Sequence, residues 1–237
     1  MLFSDKIGKI LKNSLPAPFT IAVILTFLTI LIAFFISTDS YNSKNFFEIL
    51  SFWEKGLWDN SLMVFALQMM LMLVLGHSLA LSEPVSNIIS NITIYCNNTA
   101  NAAAIVTFTT LLVAFFNWGL GLIFGAIFAR KVGEHATKNN IPLNYPLVGA
   151  AGYSGLMIWH GGISGSAPIK IAEKNHFLAE KIGTISQAET IFSAMNMTIS
   201  ISLLLILPIF MFFLAKKTKS ELVNIIEIEK VKKLKIS

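Results

Sequence analysis

The composition of this chain of 237 residues excludes an ordinary soluble domain. Hydrophobic residues make up 54% of it and charged residues only 13%, whereas soluble domains carry about 25% charge. The net charge of +5 is not typical of nucleic-acid binding, because the lysines cluster beside apolar segments, where they meet lipid headgroups. A single cysteine excludes an internal disulfide framework.

Long uncharged runs predict an all-α, polytopic integral membrane protein. Residues 1–15 place apolar side chains on one helical face and lysines on the other, which predicts an amphipathic segment on the cytoplasmic membrane surface. About 20 apolar residues suffice to cross a bilayer. Four full transmembrane helices are therefore predicted, at residues 16–36, 62–80, 145–160 and 191–214.

A further apolar run, residues 102–129, is interrupted in its middle by the sequence Asn-Trp-Gly-Leu-Gly. Cytoplasmic loops of membrane proteins are rich in Lys and Arg, and Arg130, Lys131 and Lys138 follow this run. Two spans already return the chain to the cytoplasm, so the run is predicted to form a broken re-entrant hairpin without net crossing. The alternative is one long tilted span, with another crossing hidden in the polar residues 84–100.

The charge pattern divides the chain into three parts. Residues 1–15 form the basic segment, residues 16–214 a membrane transport domain, and residues 215–237 a charged tail with seven lysines against three glutamates. The positive-inside rule places the first and last parts in the cytoplasm. The predicted location is therefore the cytoplasmic (inner) membrane, crossed several times, with the N-terminus inside.

The stretch from residue 161 to 168, Gly-Gly-Ile-Ser-Gly-Ser-Ala-Pro, predicts an unwound segment at the end of a span. Glycine and proline end a helix there and leave backbone N–H groups and hydroxyls in need of partners. Such donors, at the start of a half-helix, suit a carboxylate. The predicted substrate-binding residues of this stretch are Gly161, Gly162, Ser164, Gly165 and Ser166. An extracellular turn between two spans is the alternative.

Asn117, Trp118 and His160 complete the predicted substrate site. Asn117 places an amide deep inside an apolar run, where it either bonds a neighbouring helix or faces a ligand. The glycines that follow have a second interpretation, because Gly121 and Gly125 fall at the spacing of closely packed membrane helices. His160 ends the span that leads into the Gly/Ser stretch.

Ion-coupled symport is predicted to use His77, Gln68 and Asn196 together with H⁺ or Na⁺. No Asp or Glu lies inside a predicted span, so either a histidine carries the proton or uncharged oxygens hold sodium. Alternatively, His77 caps its span, and the two amides bond between helices. His135 and His176 lie in polar loops and are expected to be solvated. The sequence shows no metal site, no other cofactor motif and no catalytic pair, so an enzyme is not predicted.

Five stretches, in their order and spacing, resemble the short-chain fatty acid transporter family. They are residues 65–69 (FALQM), 76–80 (GHSLA), 117–122 (NWGLGL), 125–130 (GAIFAR) and 159–168 (WHGGISGSAP). The resemblance implies uptake of small monocarboxylates such as butyrate or acetoacetate, with Ser164 and Ser166 holding the carboxylate.

The resemblance also implies that the chain corresponds to the N-terminal half of an inverted-repeat-like transporter. Members of the family are close to twice as long and carry a second glycine-rich break in their other half. The expected partners are therefore the carboxylate, the lipid bilayer, and a second-half chain or further copies of this chain, with no nucleic acid. An oligomeric channel or a membrane assembly module without carrier activity is the alternative function.

Overall fold

A computed structural model describes residues 16–36, 43–176 and 178–222, which are mostly helical and contain no β-sheet. The predicted all-α class is confirmed for this part of the chain. The amphipathic segment at residues 1–15 and the tail from residue 223 onward lie outside the described residues. The helices are α1 (Pro18–Ile36), α2 (Ser43–Leu57), α3 (Asn60–Ala80), α4 (Glu83–Thr93), α5 (Thr99–Phe116), α6 (Trp118–Lys138), α7 (Tyr145–Gly152), α8 (Ser166–Ile171), α9 (Ala179–Ile182), α10 (Gln187–Thr190) and α11 (Ala194–Lys216).

In the described residues, four helices are long and apolar enough to cross a membrane; three coincide with predicted spans, and the fourth, α5, is part of the predicted re-entrant hairpin. They are α1, the Leu62–Ala80 part of α3, α5 and α11. The predicted helix at residues 145–160 is not continuous: α7 ends at Gly152, and two 3-10 helices follow, Ser154–Met157 and Trp159–Gly161. Glycine costs about 1 kcal/mol relative to alanine in a helix, and this segment has glycine at positions 149, 152 and 155.

The chain divides into two compact units, residues 1–68 and residues 69–237. In the first unit, α1 contacts α2. No side chain of α1 is buried, and Phe19 is 80% exposed. Lipid tails are as apolar as these side chains, so a bilayer covers such a helix without desolvating any charge.

In the second unit, the predicted break at Asn117 separates two antiparallel helices, α5 and α6. Gly121 of α6 lies against Ala114 of α5, and Gly125 lies against Thr110, so the helices run back along each other. They contain 18 and 21 residues, which corresponds to about 27 and 32 Å. Since α5 is long enough to cross a bilayer by itself, the depth that the hairpin reaches stays a prediction.

The polar stretch at residues 84–100 contains no helix of spanning length. α4 has 11 residues, and a helix of that length is too short for the hydrocarbon core. It contacts α6 and buries Ile89 and Thr93. The structure therefore offers no helix for the extra crossing that the alternative topology required.

The second unit has two ends, which we call the base and the tip. At the base, the hydroxyls of Thr99 and Ser220 are 2.7 Å apart, and the Asn144 N–H donates to the Thr99 hydroxyl at 2.9 Å. At the tip, the Ile163 N–H donates to the Phe115 carbonyl at 2.7 Å. The chain between these contacts therefore runs alongside α5 from one end to the other, as a series of short helices.

α6 and α7 cross at Gly125 and Gly152, where backbone lies against backbone. A Cβ added to Gly152 would lie 2.5 Å from the Gly125 carbonyl oxygen, and one added to Gly125 would collide with the Gly152 carbonyl oxygen. Small residues let membrane helices approach this closely, and Cα–H···O contacts are common at such crossings. Close packing, the second interpretation of the glycines in α6, is confirmed at this crossing.

Gly152→Ala is expected to lower the thermal midpoint of the solubilised protein, because its methyl group meets the Gly125 carbonyl oxygen. Overpacking of this kind costs about 1–3 kcal/mol. Gly149→Ala is the matched control in the same helix, since a Cβ at Gly149 has no neighbour within 4 Å and alanine favours a helix over glycine. Equal thermal midpoints for the two variants would contradict the close contact of α6 and α7.

Cysteines placed at Lys138 and Lys219 are expected to lie on one side of the membrane, the cytoplasmic side. Lys138 ends α6 at the base, and the Lys219 carbonyl accepts a bond from the Asn144 side chain there. Native Cys96, in the loop before α5, is a silent background, because burial raises the pKa of its thiol to about 12 and only the thiolate reacts. Labelling of position 138 in intact cells by an impermeant maleimide would exclude this topology.

Candidate functional site

A cavity of about 190 Å³ lies at the tip of the second unit. Its lining residues are Met69, Trp118, Trp159, His160, Gly165 and Ser166. Pockets for drug-sized ligands measure about 300–1,000 Å³, so this cavity suits a molecule of only a few heavy atoms. Half of the predicted substrate-binding residues line it: Trp118, His160, Gly165 and Ser166. The others, Asn117, Gly161, Gly162 and Ser164, do not line it.

One wall of the cavity is aromatic. The Trp118 and Trp159 rings meet edge to face with centroids 5.7 Å apart, and the Trp159 and His160 rings do so at 5.8 Å. The indole N–H of Trp118 is buried and has no hydrogen-bond acceptor in the part of the chain that the structure describes. Buried tryptophans usually find such an acceptor, so this N–H group is a candidate donor to a ligand.

Asn117 connects α5 to α6 in an extended conformation, with φ −147° and ψ 117°. Its side-chain oxygen accepts a hydrogen bond from the Leu120 N–H at 2.8 Å, which caps the start of α6. Asparagine is among the best residues at this position. The oxygen therefore serves its own helix, a role that neither sequence interpretation of Asn117 included.

Ser164 joins the unwound segment to the hairpin. It is buried, and its hydroxyl oxygen accepts a hydrogen bond from the Trp118 N–H at 2.8 Å. Gly162 permits this approach, because a Cβ there would lie 2.5 Å from the Phe115 carbonyl oxygen. Ser164 and Gly162 thus position the backbone next to the cavity without lining it, whereas Ser166 lines it.

Asn196, near the start of α11, also holds the unwound segment in place by hydrogen bonds. Its side-chain N–H₂ group donates to the Gly161 carbonyl at 2.8 Å and to the Ile191 carbonyl at 2.7 Å. The hydrogen bond between chain segments that the sequence analysis allowed for this amide is therefore present. A role in ion coupling stays a prediction.

The other predicted coupling residues, His77 and Gln68, are exposed. His77 lies in the last turn of α3 and does not line the tip cavity. Gln68 belongs to the first unit.

The expectation that His176 is solvated is wrong, because this side chain is only 3% exposed. Its Nδ1 accepts a hydrogen bond from the Leu178 N–H, so Nε2 carries the proton and donates to the Gly183 carbonyl at 2.8 Å. These two hydrogen bonds to nearby backbone groups hold the loop around the imidazole. The polarity of the surrounding sequence gave no sign of this local burial.

A multi-pass membrane protein whose broken helices surround a small cavity has the architecture of a membrane transporter. The family model described as short chain fatty acid transporter matches residues 2–235. The chain belongs to this family.

Two curated relatives carry the name "Putative short-chain fatty acid transporter". The protein of Escherichia coli (strain K12) is 33% identical over 194 residues, which cover 82% of this chain and 42% of the relative. The protein of Haemophilus influenzae (strain ATCC 51907 / DSM 11121 / KW20 / Rd) is 32% identical over 210 residues, covering 86% of this chain and 44% of the relative. The chain thus spans less than half the length of these relatives. No solved structure matches it.

Ser164→Ala is expected to destabilise the protein, because the Trp118 N–H loses its acceptor at the start of α6. Loss of a capping hydroxyl costs about 0.5–2 kcal/mol. Ser166→Ala, two residues along the same segment, is the control, since the Ser166 hydroxyl makes no hydrogen bond with any of the residues that the structure describes. Thermal unfolding in detergent distinguishes them, and a Ser164→Ala variant as stable as Ser166→Ala would contradict the capping role.

Proposed function

We propose that this chain takes part in the uptake of short-chain monocarboxylates across the cytoplasmic membrane, with the tip cavity as the carboxylate site. The observation that supports it best is the buried indole N–H of Trp118, which lacks an acceptor in the described residues and belongs to a lining residue of the cavity. A carboxylate oxygen is the strongest acceptor that such a donor can receive. Membership of a transporter family agrees with this chemistry.

The cavity offers hydrogen-bond donors and no lysine or arginine side chain. Trp118, Ser166 and His160 each carry an N–H or O–H group, and no Asp, Glu, Lys or Arg is among the lining residues. A hydrogen bond to a charged partner contributes about 1.5–3 kcal/mol, so two or three of them hold an anion without a buried counter-ion. Ser164 contributes indirectly, by fixing the backbone of Trp118.

The apolar part of the lining sets the size of the acid. Met69 and Trp159 provide a surface for a short alkyl chain, and the small volume limits its length. Butyrate and acetoacetate fit this description, whereas a fatty acid of eight carbons exceeds it. We therefore propose that specificity for short chains arises from the walls of the tip cavity.

A second polypeptide segment is part of the proposal. The aligned regions cover only 42% and 44% of the two relatives, and transporters commonly bind substrate between two related halves. We propose that a second-half chain, or another copy of this chain, closes the cavity. The N-terminus and the base of the second unit face the cytoplasm in this arrangement, and H⁺ or Na⁺ drives uptake.

Trp118→Phe and Ser166→Ala are each expected to weaken butyrate binding about ten- to a hundred-fold, the equivalent of one hydrogen bond to a charged group. Trp58→Phe is the control, because Trp58 lies in the first unit and is 69% exposed. Binding of labelled butyrate to the purified full chain in lipid nanodiscs measures the effect, with the thermal midpoint of each variant recorded alongside.

Uptake of labelled butyrate into vesicles tests the transport step. Saturable uptake, inhibited by acetoacetate but not by octanoate, is expected when the chain is co-expressed with a second-half chain. Uptake that rises linearly with concentration would favour the channel instead. Butyrate binding unchanged in both Trp118→Phe and Ser166→Ala would exclude the tip cavity as the carboxylate site.

A further inference from the structure

Three hydroxyls in the second unit have no hydrogen-bond partner among the residues that the structure describes. They belong to Thr107, Thr110 and Ser154. Both threonines are fully buried, and they lie about one turn apart on α5. An unpaired hydroxyl is costly inside a protein, so a group of three requires a physical explanation.

A neighbouring threonine makes the hydrogen bond within the helix that Thr107 and Thr110 lack. The Thr109 hydroxyl donates to the Ile105 carbonyl at 2.8 Å, one turn back along α5. Serine and threonine in a helix commonly satisfy themselves in this way. Thr107 and Thr110 lie on the same helix without that bond, so their oxygens remain available to another partner.

The broken segment packs on α5 one residue after Ser154, which carries the third hydroxyl. Ser154 begins the first 3-10 helix, and its neighbour Gly155 lies against Thr110. A Cβ on Gly155 would be 3.2 Å from Thr110 Cγ2 and 3.5 Å from the Thr110 carbonyl oxygen. A continuous helix would use its carbonyls internally, whereas a broken one leaves oxygens free to act as ligands.

The geometry points to a binding site for a monovalent cation such as Na⁺, with the hydroxyl oxygens of Thr107, Thr110 and Ser154 among its ligands. A hydroxyl oxygen has two lone pairs and binds a hard cation without a formal charge. α5 and residues 145–165 contain no Asp or Glu. Divalent cations are usually held by carboxylates, so this neutral set of oxygens favours a single positive charge.

This site lies between the base and the tip. Thr110 is seven residues from Asn117 along the chain, which corresponds to about 10 Å along α5. A cation there would attract an anion bound in the tip cavity, although that consequence alone rests on the proposed function. The ligands differ from the predicted coupling residues His77, Gln68 and Asn196.

A titration with sodium tests the site without any carboxylate. The thermal midpoint of the purified full chain is followed as NaCl replaces choline chloride at constant ionic strength. A sodium-dependent rise is expected for the parent protein. Thr107→Val and Thr110→Val keep the shape but remove one hydroxyl each, and we expect the half-maximal sodium concentration to increase at least tenfold. Thr109→Val is the matched control and should respond like the parent.

Two results with the parent protein and the valine variants would overturn the proposal. One is a parent protein whose midpoint is the same in sodium and choline. The other is that each valine variant differs from the parent protein in thermal midpoint by the same amount in sodium and in choline. Hydroxyls that are only unsatisfied, or bonded to water, would give this result. If a valine variant does not fold, Ser154→Ala removes the third hydroxyl with a smaller change in volume, and an unaltered sodium response there also excludes the site. Because no carboxylate is present, failure of the butyrate experiments leaves this test unaffected.

Discussion

A helix that breaks inside a bilayer must find new partners for its backbone N–H and C=O groups within the protein. The tip of the second unit depends on this requirement. The Ser164 hydroxyl accepts from the Trp118 N–H, the Asn117 oxygen accepts from the Leu120 N–H, and the Phe115 carbonyl accepts from Ile163. Each of these bonds joins or caps the ends of broken helices. The cavity is therefore bounded by backbone that the protein itself has already satisfied.

The glycines at positions 161 and 162 of the unwound segment allow close packing against neighbouring residues. Gly162 lies against the Phe115 backbone, and Gly161 lies against the Asn196 side chain, each too closely for a Cβ. Sequence alone associates such a Gly/Ser stretch with anion binding, because its free donors are conspicuous. The structure shows that several donors are used internally. The donors that we propose for a ligand are a smaller set, on the lining residues Ser166, Trp118 and His160.

Apolar runs, their bounding charges and the break at Asn117 suffice to predict the all-α membrane fold, because burial in lipid depends on composition. Contacts distant in sequence decide the rest. Residues 145–160 read as a helix, yet the backbone contact at Gly152 accompanies an early end to α7. Ser164 and Ser166 look equivalent in the sequence, but only one lines the cavity. Thr107 and Thr110 carry no signal in the sequence, and only the structure shows that their buried hydroxyls have no partner among the described residues.

The segment between Asn144 and Ile163 is attached at both ends by hydrogen bonds, to Thr99 and to Phe115. Between these anchors, Val148, Ala151 and Ile158 are buried in the apolar core, so side-chain packing holds the segment along its length. Its backbone is held less well than its side chains, because the hydrogen bonds of a 3-10 helix have poorer geometry than those of an α-helix. The amides of the two 3-10 turns should therefore exchange with solvent before those of α5 and α6 beside them.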